Sequence, residues 1–146
     1  VTLLPLTIMV MFETFEHTAD LGIRVRAADR ASLFVEAGRA LFSVIVDDPS
    51  TIRPIQMTGV EISGTQADYL LFDWLNEWLF RFETERRLFC RFEVNLTPEG
   101  LSGGAWGERF DEARHRLAHE VKAITYHQLV VQETTNGWLA EFIVDI

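Results

Sequence analysis

The sequence has a single cysteine, Cys90. One thiol closes no intrachain disulfide, and with no CxxC pair or Cys/His cluster there is no zinc site, so a reducing, cytoplasmic setting is expected. Cys90 stands in Leu88-Phe89-Cys90-Arg91-Phe92 and reads as a small strand residue without chemistry. Positive charge is scarce too: 13 Lys and Arg against 22 Asp and Glu give a net charge of −9. A field of that sign repels phosphate backbones and argues against a DNA-binding protein. An acidic protein can still serve RNA chemistry by acting on an enzyme, which leaves direct RNA contact open. No apolar run reaches the roughly 18–20 residues that cross a bilayer, so no membrane association is expected. The apolar start, residues 1–10, has no basic n-region, is broken by Pro5 and carries no small-residue cleavage pattern. It reads as an extension outside a domain of residues 11–146, with Met9 and Met11 both candidate initiators. Also missing are a glycine-rich phosphate loop, a nucleophile elbow, an HExxH pair and an EF-hand loop, so no residue is assigned to catalysis.

What the chain does have is material for one core: 48% of 146 residues are hydrophobic, including 11 Phe and 4 Trp, too many large side chains for a disordered protein. Phe12–Glu16 and Ile23–Ala27 alternate as strands, separated by His17-Thr18-Ala19-Asp20-Leu21-Gly22. Asp29 is placed to cap a helix carrying Leu33, Phe34, Ala37, Ala40, Leu41 and Val44 at helical spacing. Asp47-Asp48-Pro49-Ser50 ends that helix, and a strand is expected over residues 53–62. Thr65 with Asp68 has the form of a capping box for a second helix over residues 66–84. On it Leu70, Leu71, Trp74, Leu75, Trp78, Leu79 and Phe82 fall on one side. Phe72 and Phe80 lie off that stripe, which predicts a central helix covered on more than one side. Period-two patterns return in residues 88–96, 101–110, 121–131 and 138–145, with turn residues at Pro98-Glu99-Gly100 and Asn136-Gly137. Two main helices and sequential hairpins without βαβ alternation predict a single-domain α+β fold with a mixed or antiparallel sheet.

Few residues invite a chemical reading. His17 and Asp20 lie in a connection between strands, where polar groups serve either function or the turn's own backbone donors. Asp145 and the carboxylate of Ile146 put two anionic groups side by side, as a solvated terminus or as ligands. Were the last strand to pair near the first, Asp20, Asp145 and Ile146 would form an oxygen-rich pocket suited to a hard divalent cation such as Ca²⁺ or Mg²⁺. Lys122, between Val121 and Ala123, reads as a solvent-face lysine on a half-buried strand or as a partner for carboxylates or an anion. His127, five positions on, faces the other way unless a bulge intervenes. The glycines of Gly103-Gly104-Ala105-Trp106-Gly107 sit inside a hairpin arm and suggest a bulge or close backbone approach. Arg81, Arg86, Arg87 and Arg91 form a basic run, a solvated face or a contact for RNA or acidic partner residues.

Four blocks taken in order carry a resemblance: Phe15-Glu16-His17-Thr18-Ala19-Asp20-Leu21-Gly22-Ile23, Leu70-Leu71-Phe72-Asp73-Trp74-Leu75-Asn76-Glu77, Glu120-Val121-Lys122-Ala123-Ile124-Thr125-Tyr126-His127 and Asp145-Ile146. In these the sequence resembles the archeases. The resemblance implies an α+β protein cofactor, not an enzyme in its own right. Its partner would be the RNA-splicing ligase of tRNA splicing and RNA repair, whose guanylylation and multiple turnover it would promote. It also implies a divalent cation, Ca²⁺ with Mg²⁺ or Mn²⁺ as alternatives, held by Asp20, Asp145 and Ile146, with Lys122 as a further functional residue and His17 in an orienting role. Two other readings stay open: an autonomous metal-dependent hydrolase or transferase using Asp20 or His17 as base, with an apolar pocket beside the carboxylates, and a chaperone-like module with an exposed apolar patch.

Overall fold

A computed structural model describes residues 11–17 and 20–146. The expected extension, residues 1–10, lies outside the described residues, as do Thr18 and Ala19. The chain runs β1 (Met11–His17), β2 (Asp20–Ala27), α1 (Arg30–Ile45), β3 (Gln56–Ser63), α2 (Ala67–Glu85), β4 (Arg87–Thr97), β5 (Gly100–Arg109), β6 (Ala123–Thr134) and β7 (Gly137–Asp145), with a 3-10 turn at Pro49–Thr51. The α+β class holds, but the strands form two sheets instead of one, ordered β1-β2-β7-β6 and β3-β5-β4. Every strand pairing among the described residues is antiparallel.

α1 starts where the sequence predicts. Asp29 is extended (φ −138°, ψ 168°) and its carboxylate accepts the Ser32 N–H at 2.8 Å, satisfying one of the donors a helix start leaves open. Ten of its residues are buried, Glu36 and Gly38 among them, because α1 packs on β4 of one sheet and on β1, β2 and β7 of the other. The central helix is therefore α1. The expected stripe of α2 is buried, yet Phe80 is 58% exposed, so α2 is uncovered on that side. The core is largely aromatic: Trp74 and Trp78 meet edge to face at 5.1 Å, and Trp78 packs on Phe89 at 5.0 Å.

The capping box at Thr65 does not form. Gln66 is the N-cap and makes no side-chain capping bond, which places Asp68 one residue too early to reach back. Its carboxylate instead accepts the Tyr69 N–H and the Tyr126 hydroxyl, each at 2.9 Å. β3 begins later than expected because Pro54 has no N–H to give a ladder. Gly22 belongs to β2, and a Cβ there would lie 2.3 Å from the Phe15 ring that covers it. Gly137 opens β7 at φ 150°, a conformation glycine tolerates.

Candidate functional site

The last strand, β7, pairs with β2. Their register pairs Leu21 with Val144, so Asp20 and Asp145 follow as the next residues at the same end of adjacent antiparallel strands. His17 ends β1 opposite Asp20. On the other side of β7, the Lys122 N–H donates to the Asp145 carbonyl at 2.7 Å. Asp20, Asp145 and Ile146 are half-buried, and Ile146 packs against the core. One end of the four-stranded sheet thus carries His17, Asp20, Asp145, Ile146 and Lys122.

Lys122 differs from its expected setting. β6 starts at Ala123, so Lys122 lies in the approach to the strand, exposed, while neighbouring Val121 is buried. The bulge that would break the strand alternation between it and His127 is present: Thr125 pairs with Ile143 and Val130 with Glu141, so residues 126–129 stand opposite Phe142 alone. Gln128 adopts φ 64° within it and His127 is exposed.

As a cation site this end offers hard oxygen from two side-chain carboxylates and the main-chain oxygens of Ile146, a donor set matched to Ca²⁺ or Mg²⁺ and poor for thiophilic metals. Among the described residues no three His, Cys, Asp or Glu side chains come together to hold a metal. In their chemistry the donors suit a hard cation.

The model of the Archease protein family (MTH1598/TM1083) matches residues 12–146. The chain belongs to the archease family. It is 39% identical to the protein archease of Sulfurisphaera tokodaii over 140 residues, 94% of this chain and all of that one. Against the protein archease of Methanopyrus kandleri it is 41% identical over 139 residues, 92% of this chain and 99% of that one. The solution structure of Methanobacterium thermoautotrophicum protein 1598 superposes with a TM-score of 0.82 at 35% identity, covering 92% of this chain and 98% of the other. A Thermotoga maritima protein described as an archease and possible chaperone shares the fold, with a TM-score of 0.64 at 19% identity over 93% of this chain and 98% of that one. No helix among the described residues is long and apolar enough to cross a membrane.

For this archease-family chain the hydrolase reading predicts an apolar pocket at the carboxylates, and a large apolar cleft lies elsewhere. A cleft of about 1100 Å³ runs between α1 and the β3-β5-β4 sheet, lined by Val35, Glu36, Val60, Phe92 and Val94 among others, and by none of Asp20, Asp145, Ile146 or Lys122.

Two clusters escape sequence reading. Residues 111–116 are a polar stretch between strands in sequence, but His115 is buried and the segment is bound to Glu108, itself 4% exposed. Glu108 accepts from the Arg53 N–H at 2.8 Å, from Arg114 Nη1 at 3.0 Å and from His115 Nε2 at 2.8 Å. The Asp111 N–H donates to His115 Nδ1 at 2.9 Å, and this geometry assigns the proton to Nε2. Burial alone would raise the Glu108 pKa; the Arg114, Arg53 and His115 hydrogen bonds outweigh it and lower it to about 2. The second cluster stacks Tyr126 on Tyr69 at 5.1 Å and 3°, with Phe72 edge-on at 5.4 Å. Hydrogen bonding with Tyr69, then with Asp68, raises the Tyr126 phenol above its ordinary value. Tyr69 and Phe72 fall within the helix expected over residues 66–84, but nothing local marks their partner.

Proposed function

We propose that this protein is an accessory factor of an RNA-splicing ligase, promoting guanylylation of the ligase and multiple turnover in tRNA splicing and RNA repair. The observation that carries the reading is the β2–β7 register, which brings Asp20 and Asp145 to one sheet end beside Lys122 and Ile146. Membership of the archease family supports it.

In this reading Asp20, Asp145 and the main-chain oxygens of Ile146 hold a divalent cation, Ca²⁺ foremost and Mg²⁺ or Mn²⁺ otherwise. The cation supplies charge that offsets negative oxygens in phosphoryl transfer. The chain's own part is positional. The antiparallel pairing fixes the carboxylates at a strand end, where a partner's active site can be reached. Packing of the Ile146 side chain holds the last residue against the core. The Lys122 backbone is tied to Asp145, and its exposed ammonium stands ready for phosphate or carboxylate oxygens of the partner. His17, paired with Asp20 in the ladder, orients the hairpin end. The acidic surface suits a factor that works on the enzyme, with any RNA contact confined to a small part of the chain.

The test is ligation by the ligase of the same organism in single- and multiple-turnover regimes. Asp20→Ala, Asp145→Ala and Lys122→Met are each expected to remove stimulation while leaving the unfolding midpoint within a few degrees of the parent. Unchanged stimulation in the two aspartate variants would overturn the proposal. A residue appended after Ile146 is expected to weaken Ca²⁺ binding by displacing the carboxylate.

A further inference from the structure

The basic run noted in the sequence is sorted by the fold. Arg81 is neutralised by Glu77 at 3.0 Å and Glu85 at 3.3 Å, and Arg91 lies over the Trp106 ring at 4.5 Å. Arg86 and Arg87 meet a cation from outside the run, Arg109. Arg87 and Arg109 are direct partners in the β4–β5 ladder, which puts both side chains on the same face of the sheet. The Arg86 carbonyl accepts the Phe110 N–H at 2.7 Å, so the backbones of all three arginines meet where α2 turns into β4 and β5 leaves the sheet.

Each arginine is held at a cost. Among the described residues none of the three has a carboxylate within 4.0 Å, and like charges directly opposite in a ladder repel. Arg87 Nε and Nη2 are shielded from solvent without a hydrogen-bond partner, an expensive state for a charged donor. Arg86 caps α2 in the left-handed conformation, φ 55° and ψ 38°, where glycine is the usual residue. The negative end of α2 offsets part of the repulsion but gives Arg87 no acceptor. Aromatic rings fix the charges in place: Arg86 lies over Phe82 at 4.6 Å and Phe110 at 5.4 Å, and Arg87 over Phe89 at 5.4 Å. Contacts to ring faces position a guanidinium without using up its N–H donors.

We infer that Arg86, Arg87 and Arg109 form a phosphate-binding site at the α2–β4 junction, for the phosphate chemistry presented by an RNA backbone or by free phosphate. Three arginines whose backbones meet at one junction match a group with several charged oxygens better than a lone carboxylate, because each planar fork takes oxygens in pairs. The surrounding net charge of −9 confines the contact to one or two phosphates, as opposed to a long groove. The site is separate from the Asp20–Asp145 end. α2 spans 19 residues, about 28 Å at 1.5 Å per residue, with Tyr69 against Tyr126 near its start and Arg86 at its finish.

Two arms test it on the full chain, using Arg109→Ala, Arg86→Gly and Arg87→Met as variants. Arg86→Gly suits the left-handed cap and Arg87→Met keeps much of the buried bulk, so loss of folding does not obscure the result. In the first arm, thermal unfolding is followed in sodium phosphate and in sodium chloride at equal ionic strength. Phosphate is expected to raise the parent midpoint several degrees more than that of any variant. In the second, a fluorescein-labelled 12-nucleotide RNA is titrated by anisotropy, with about tenfold weaker binding expected in each variant and a log–log salt slope of about −1 to −2. RNA binding lost in the variants identifies the backbone as the source. Phosphate stabilisation lost in the variants, with RNA binding no tighter than phosphate, identifies the free anion. Equal phosphate shifts in parent and variants mean only its general exclusion from protein surface, and with no arginine-dependent RNA binding they overturn the site. Polyglutamate binding as tightly as RNA and lost in the same variants also overturns it, in favour of an acidic protein partner.

Discussion

Glu108→Gln is the perturbation whose consequence the structure specifies most fully. The carboxylate is nearly inaccessible and takes hydrogen bonds from Arg53, Arg114 and His115, which join the 3-10 turn region, the end of β5 and the segment after it. With a pKa of about 2 against an ordinary 4.5, the folded state favours the ionised form by about 2.5 pH units, or about 3 kcal/mol. The folded value is the lower one, so this stability is fully present above pH ~5 and is lost as pH falls through the unfolded value toward 2. About 2 kcal/mol is gone by pH 3. Glutamine retains the shape but replaces two charged acceptor oxygens with one neutral acceptor and an NH₂ aimed at donors, leaving Arg114 partly unpaired. The expected cost at pH 7 is about 3–4 kcal/mol, in the range for breaking one side of a buried ion pair. Urea unfolding of parent and variant at pH 7, 5, 4 and 3 reads the difference directly. It is expected to be flat from pH 7 to 5 and to shrink by about 2 kcal/mol by pH 3. A difference independent of pH over that range would refute the assignment of Glu108 as the ionised hub. Glu108→Gln is also expected to retain ligase stimulation at temperatures where it is folded, since Glu108 belongs to the three-stranded sheet and Asp20 and Asp145 to the four-stranded one.

Three further outcomes follow from individual contacts. Trp74 Nε1 donates to the Phe34 carbonyl at 2.9 Å, whereas buried Trp78 Nε1 has no partner, so Trp74→Phe is expected to cost about 2 kcal/mol more than Trp78→Phe in denaturant unfolding. Gln128 adopts φ 64° in the β6 bulge, and Gln128→Gly is expected to raise stability by about 1 kcal/mol by relieving the left-handed strain. Of the two tyrosines, Tyr126 titrates above the ordinary phenol range because of Tyr69 first and Asp68 second. Absorbance titration should therefore show a delayed step that Tyr126→Phe removes.

Local signals in the sequence carried most of the elements, because helix periodicity and caps act over a few residues. Asp29 and the Leu33–Val44 stripe are such signals, and the structure has both. Long-range pairing is different. That the strands divide into two sheets depends on which hairpins meet, and no local pattern encodes it. The same limit applied to the candidate site. Asp20 and Asp145 were legible as carboxylates at element ends, but their proximity rested on whether β2 and β7 pair. The β6 bulge was hidden because neither Gly nor Pro marks it, and Gln128 gives no hint of a positive φ. The burial of His115 was hidden because charges in sequence look alike whether or not a buried Glu108 awaits them. Phe80 misled in the opposite sense: an aromatic off the stripe suggested a covered face and is exposed instead.

Lysine and arginine are used differently here, and the difference bears on both proposed sites. Lys122 is the only lysine, so twelve of the 13 cationic side chains are arginines. A lysine carries a mobile point charge on a flexible stem, suited to following oxygens as they move in a partner's active site, and it stands exposed at the carboxylate end. At the α2–β4 junction Arg86 and Arg87 are planar groups held on rings, and Arg87 is partly desolvated, which suits a static anion. Lys122→Arg therefore separates the two chemistries. Charge alone predicts an active variant, whereas a requirement for a mobile, compact ammonium predicts loss of stimulation with phosphate stabilisation at the arginine site unchanged. The second outcome is expected, since Lys122 is exposed and its backbone bond to Asp145 survives the substitution.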